Sequence, residues 1–251
     1  MVDQKPTLVL LPGLMCGPEI FADIAAALSN EYKNVFGDMT SADTVDGLAR
    51  NILGSIDAER FSLAGFSMGG IVAMAMVREA PHRIARLALL NTNHRVDPPA
   101  TRERRNKHME VVRNGGLSEL MQTDLKVAYF HTSDEHTEEA RQLVVDMAEK
   151  LGPDVFVQQS TALLNRTSTV EALRQFQSPT LVFAAAEDAL CKLEWHEDMA
   201  ALLPNVTLKV LEGAGHMAML ECAGDYTEIV RAWFAAPHTN FENEVSNDVH
   251  A

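Results

Sequence analysis

Short continuous apolar runs and amphipathic stretches alternate along the first third of the chain. Thr7–Leu11 is apolar throughout and bounded by Lys5-Pro6 and Pro12-Gly13, the pattern of a strand covered on both faces. Val35–Gly37 is a candidate short strand, and Phe61–Phe66 and Ile84–Leu90 are further strand-like runs. Between these runs, Glu19–Leu28, Thr44–Leu53 and Gly69–Val77 carry apolar residues at helical spacing, the second opened by a Thr suited to a helix cap. Strand, helix, strand, helix in that order calls for a parallel sheet with right-handed crossovers.

From Val96 to Gln177 the alternation stops, and helical patterns follow one another over 99–113, 117–130, 134–151, 153–164 and 169–176. Strand character resumes at Pro179–Ala185 and Val206–Leu211, with helices at Leu193–Leu203 and Tyr226–Ala235. The predicted fold class is α/β, a mostly parallel central sheet flanked by helices with an inserted helical cap. Residues 1–95 and 178–236 form its core, 96–177 the cap, and the polar, aperiodic segment 237–251 a tail expected to be mobile.

One turn within this pattern carries chemistry. Gly65-Phe66-Ser67-Met68-Gly69 joins a predicted strand to a predicted helix and fits G-x-S-x-G, in which a serine on a tight turn projects its hydroxyl above the sheet. Side chains two residues either side of Ser67 would collide with the neighbouring strand and helix, so glycine stands at both places. At a helix N-terminus, the free N–H of Met68 is suited to an oxygen that becomes negative when a carbonyl is attacked. Asp188 and His216 each lie just past the end of a later strand. In a parallel sheet such ends share one edge, where Ser67, Asp188 and His216 can converge.

Composition narrows the partners. The 251 residues are 47% hydrophobic and 22% charged, ordinary values for a folded chain, and the net charge of −14 opposes binding to nucleic acid or anionic lipid. No apolar stretch approaches the length of a membrane span. Cys16, Cys191 and Cys222 are widely spaced with no CxxC pair, so neither a disulfide framework nor a zinc knuckle is indicated. The N-terminal apolar run is too weak for a secretory signal, and the expected location is cytoplasmic.

With Leu10-Leu11-Pro12-Gly13, Gly65–Gly70, Ser178–Phe183 leading to Asp188, and Gly213-Ala214-Gly215-His216 in this order, the chain resembles the α/β-hydrolase superfamily from Thr7 to about Ala235. The resemblance implies a Ser67 nucleophile, a His216 base and an Asp188 acid, the last preferred over Glu187 by its place three residues beyond Ala185. It also implies oxyanion donors at the N–H groups of Leu14 and Met68, although Pro12-Gly13 stands where relatives often have His-Gly. No cofactor and no metal are implied. The implied activity is cofactor-free cleavage of a carboxylic ester, lactone or thioester of a small, partly apolar molecule through an acyl-enzyme on Ser67. Carbon–carbon bond hydrolysis, acyl transfer, and a ligand receptor with negligible turnover remain alternatives; Ser67 argues against relatives that use aspartate there.

The remaining histidines form no ligand spacing and are expected to be mostly surface, with His94 a minor candidate for the pocket. Arg102, Arg104, Arg105 and Lys107 are expected to form a solvated helix face, with recruitment of an anionic substrate as the lesser reading. Cys16 is expected to be a small buried filler.

Overall fold

A computed structural model describes residues 5–131 and 135–236. Six strands form one sheet, β1 (Thr7–Leu11), β2 (Lys33–Phe36), β3 (Phe61–Phe66), β4 (Ile84–Leu90), β5 (Thr180–Ala185) and β6 (Val206–Leu211). Their order across the sheet is β2-β1-β3-β4-β5-β6, and every neighbouring pair is parallel. The tail expected over 237–251 lies outside the described residues.

The continuous apolar runs are explained by two cores, one on each face. Leu8, Leu10, Phe66, Leu90 and Phe183 enter one cluster, and the alternating residues Val9, Leu11, Leu63, Leu89 and Val182 enter the other. Successive side chains of a strand point to opposite faces, so a strand covered on both sides is apolar at every position. Helices α1 (Ala22–Ala27, after a 3₁₀ turn at Pro18–Phe21), α10 (Ala218–Glu221) and α11 (Ala223–Ala235) contribute to the first cluster. The second takes α2 (Val45–Ser55), α3 (Met68–Glu79) and α9 (Leu193–Ala200). As expected, the hydroxyl of Thr44 caps α2, accepting from the N–H of Gly47 at 3.0 Å. At the far side of the sheet, the buried Arg86 of β4 donates to the carbonyls of Trp233, Phe234 and Ala236 at the end of α11.

Between β4 and β5 the described chain is helical: α4 (Pro99–Arg113), α5 (Leu117–Leu120), α6 (Lys126–Tyr129), α7 (Glu135–Leu164) and α8 (Val170–Gln175). Two details differ from the sequence pattern. The single helix expected over 117–130 is interrupted by a wide π-type turn at Met121–Leu125. The helices expected over 134–151 and 153–164 meet at a kink in α7, where Gly152 takes φ 84° before Pro153, which has no N–H to continue the ladder. Apolar residues of these helices, among them Met109, Leu120 and Phe156, join the cluster on the α1 and α11 face. Among the described residues no helix is long and apolar enough to cross a membrane.

The strand ends fix where functional side chains gather. Leu11 aligns with Gly65, Phe66 with Leu90, Leu90 with Phe183 and Ala185 with Leu211, so the loops after β1, β3, β4, β5 and β6 leave along one edge. Packing at that edge is tight. A Cβ on Gly69 would lie 2.0 Å from the Leu11 carbonyl oxygen, and one on Gly65 would lie 2.4 Å from that of Gly69. Both obstacles are backbone, which has little freedom to move aside. Gly69→Ala should therefore cost about 3 kcal/mol in chemical unfolding, whereas Gly54→Ala, in open space on α2, should stabilise by up to about 1 kcal/mol. Equal unfolding midpoints for the two variants would contradict this packing.

Candidate active site

The turn after β3 places Ser67 at the mouth of the sheet edge. Its φ is 50°, an uncommon conformation for a residue with a side chain, with a strain of the order of 1–3 kcal/mol that the surrounding structure must hold. Several bonds hold it. The Ser67 N–H donates to Leu90 O at 3.0 Å, its carbonyl accepts from Gly70 and Ile71, and the Thr92 hydroxyl donates to the same carbonyl at 2.7 Å. Ser67 keeps partial exposure, as a group that meets a ligand must.

The three predicted residues come together. His216 Nε2 lies 2.9 Å from Ser67 Oγ, and His216 Nδ1 lies 2.8 Å from Asp188 Oδ2. Asp188 Oδ1 accepts the N–H groups of Leu190 and Cys191, both at 2.8 Å, and Asn91 Nδ2 approaches Oδ2 at 3.3 Å. Burial would push the Asp188 carboxyl up. The opposing charge and hydrogen bond of His216, with the two backbone donors, outweigh it and hold the carboxyl below its ordinary value. The imidazole is itself bracketed by the rings of Phe66 and Tyr129, with centroids 5.1 Å and 5.7 Å away.

Glu187, the rival acid, has a different task. Its Oε2 accepts from Gly213 and Ala214, and Glu221 accepts from Gly215, so two carboxylates shape the loop that carries His216. Asn91 and Thr92 were not legible in the sequence; both follow β4 with no spacing signal, although their position at a strand end is where such partners gather.

Ser67 and His216 open on a cavity of about 490 Å³ that Leu14 and Met68 also line. The N–H of Met68, the first residue of α3, belongs to the unpaired first turn of a helix. The next residue after Leu14 is tied across the molecule. The buried amide of Gln159, on α7, accepts from the Met15 N–H at 2.9 Å and donates to Met39 O at 3.1 Å. Gln159 too escaped the sequence reading, because its partners lie far from it along the chain.

Cys16 is a buried filler, as expected, and burial pushes its thiol up to about 12. Cys191 stands within 4.8 Å of ligand atoms on Asp188 and His216, a grouping of metal-binding residue types. Those two are bonded to each other, and burial drives the Cys191 thiol up, disfavouring the thiolate a metal would need. The histidines depart from a uniform surface reading: His196 is fully buried with Nδ1 3.1 Å from Lys192 O, and His108 lines the cavity. His94 is half-buried but does not line that cavity. Arg102, Arg104 and Lys107 are exposed, as expected of a solvated helix face, whereas Arg105 is half-buried; Arg104 and Arg105 also line the cavity, because α4 turns that side toward it.

The depressed Asp188 carboxyl has a pH consequence. Stabilisation from a carboxylate held below its ordinary value is complete above about pH 4 and is lost as pH falls through the folded value. The wild type should unfold with a larger free energy than Asp188→Asn at neutral pH, and the gap should narrow on acidification below about pH 4. A gap independent of pH in denaturant titrations would mean that the Asp188 charge is not what His216 and the loop stabilise.

Comparison with known proteins agrees with the architecture. Over 232 residues the chain is 26% identical to the polyketide synthase ThaQ of Burkholderia thailandensis, covering 86% of this chain but only 11% of ThaQ's length. It is 27% identical over 237 residues to RutD of Caulobacter sp. (strain K31), provisionally assigned as a carbamate hydrolase, covering 85% of this chain and 84% of RutD. The enol-lactonase from Burkholderia xenovorans LB400 superposes with a TM-score of 0.83 at 21% identity over 93% of each chain, a likeness of fold. The family model described as alpha/beta hydrolase fold matches residues 22–223, and the chain belongs to that family.

Proposed function

We propose that the protein is a serine hydrolase that cleaves a carboxylic ester, lactone or thioester of a small molecule. The observation that carries this reading is the continuous hydrogen-bonded path from Ser67 Oγ through both nitrogens of His216 to Asp188. A serine hydroxyl is a poor nucleophile unless a base removes its proton, and His216 Nε2 is within reach to do so. Asp188 holds the proton on Nδ1, leaving Nε2 free as the acceptor, and stabilises the imidazolium that forms.

The steps balance without a cofactor. Ser67 Oγ attacks the carbonyl carbon while its proton passes to His216 Nε2. The carbonyl oxygen becomes anionic against the N–H groups of Leu14 and Met68. Collapse expels the leaving group, which takes the proton from His216 and leaves an acyl-Ser67 ester. Water then attacks that ester, gives a proton to His216, and releases the acid as Ser67 Oγ recovers it. Each oxyanion donor contributes about 3 kcal/mol to lowering the barrier. Gln159 fixes the residue after Leu14, so we assign it the task of holding that loop for Leu14.

Residues 96–177 act in this reading as a cap that sets which substrates enter; support comes from cavity-lining residues on α4, the 121–125 turn and α7. Hydrolysis in general is supported by the family and by the activities attributed to RutD and the enol-lactonase. A carbamate has the same acyl centre and would follow the same steps.

His216→Ala should lower kcat/KM on an activated ester by roughly 10⁴-fold, since the three side chains act as a unit. A fluorophosphonate probe should label the wild type and fail to label Ser67→Ala. A loss below tenfold, or labelling that persists without Ser67, would sink the assignment; labelling without multiple turnover would favour a receptor.

A further inference from the structure

The cavity beside Ser67 carries positive charge that the protein itself does not neutralise, in a chain whose net charge is −14. Four arginines line it, Arg95, Arg104, Arg105 and Arg166, against two carboxylates, Asp97 and Asp124. Arg95 is paired with Asp198. Asp97, almost fully buried, receives Arg166 at 2.8 Å on one oxygen and Arg105 Nε at 3.0 Å on the other. Arg166 directs its remaining donors at the carbonyls of Arg95 and Leu163. Asp124 is 61% exposed and 3.6 Å from His108.

What is left over is specific. Among the described residues, the two terminal nitrogens of Arg105 and the whole guanidinium of Arg104 have no hydrogen-bond acceptor. Arg105 is only 18% exposed, and its orientation is set from behind by the Nε bond to Asp97. A guanidinium held by Nε presents its Nη edge as a planar pair of donors, which matches the two oxygens of a carboxylate. Thr101, Arg104, Arg105 and His108 lie at helical spacing on the side of α4 that lines the cavity. Burial, reinforced by the charges of Arg104 and Arg105 against the opposing pull of Asp124, holds the His108 imidazole below its ordinary value. Neutral at pH 7, it can serve as a further donor without adding charge. The same cavity is also lined by the apolar Leu125, Ala128, Phe156 and Leu163.

We propose that Arg105 and Arg104 form a subsite for a carboxylate carried by the substrate, separated by an apolar spacer from the carbonyl that Ser67 attacks. This rests on the hydrolase reading above and narrows its substrate class to monoanionic esters, lactones or thioesters, such as half-esters of dicarboxylic acids. The cavity volume suits a molecule of that size. In this arrangement Asp97 and Arg166 are positioning residues, which aim Arg105 without touching the substrate.

The test compares p-nitrophenyl half-esters of dicarboxylic acids, from succinate to suberate, with the methyl esters of the same compounds, which lack the charge. The wild type should prefer the anionic member at one spacer length. Arg105→Gln should reduce the ratio of kcat/KM between the two members at least about tenfold, mainly through KM, and Arg104→Gln should reduce it by a smaller factor. Arg105→Lys, which keeps the charge but not the planar pair of donors, should keep only part of the preference. Because each ratio is taken within one protein, loss of folded material cancels, and among the described residues Arg104 makes no hydrogen bond or ion pair whose loss would disturb the fold. A ratio unchanged within about twofold in both Gln variants, or no anionic preference in the wild type, would overturn the subsite. Should no ester be turned over, the hydrolase reading is what fails. Calorimetric titration with glutarate then decides the subsite alone: binding that weakens about tenfold in Arg105→Gln supports it, and absent or unaltered binding overturns it.

Discussion

The close approach of the start of α3 to the end of β1, backbone against backbone at Gly69 and Leu11, is the constraint on which the rest of the site depends. It lets the chain reverse from strand to helix within one residue, and that residue, Ser67, bears the positive φ that results. The same approach sets the N–H of Met68 beside the loop that begins at Pro12. In the proposed mechanism, the nucleophile and two oxyanion donors are thus located by main-chain geometry before any other side chain is considered.

Two neighbouring carboxylates divide the work at the end of β5. Asp188, buried and supplied with backbone donors, faces His216; Glu187, one residue earlier, accepts from Gly213 and Ala214 in the loop that precedes that histidine. The adjacency lets one short stretch hold both the imidazole and the loop that carries it. Asp188 bonds the imidazole, and Glu187 sets where its loop runs.

The central strands, and the three residues that follow strand ends, were legible because the sequence must supply something particular there: apolar runs for strands covered on both faces, and glycine where a Cβ would strike backbone. Asn91, Thr92 and Gln159 were not. Each acts through a side chain that meets a partner distant in sequence, and asparagine, threonine or glutamine in a loop or helix carries no spacing signal. The helix over 117–130 misled for a related reason, since a π-type turn preserves helical periodicity closely enough to hide within it. Arg105 was visible as part of a basic run, but only the buried pairing of Asp97 distinguishes it from solvated neighbours such as Lys107.

Electrostatically the site is two regions sharing one cavity. Near Ser67 the Asp188 carboxylate faces the imidazole of His216; along the cavity's α4 side arginines outnumber carboxylates, the surplus that the proposed subsite would use. The claim that joins these regions is that Ser67 carries the substrate's acyl group. Acid-quenched mass spectrometry during turnover of an activated ester tests it most directly. The account predicts a mass increase equal to the acyl group on the peptide containing Ser67; turnover without that adduct, or with the acyl group on another residue, would contradict it.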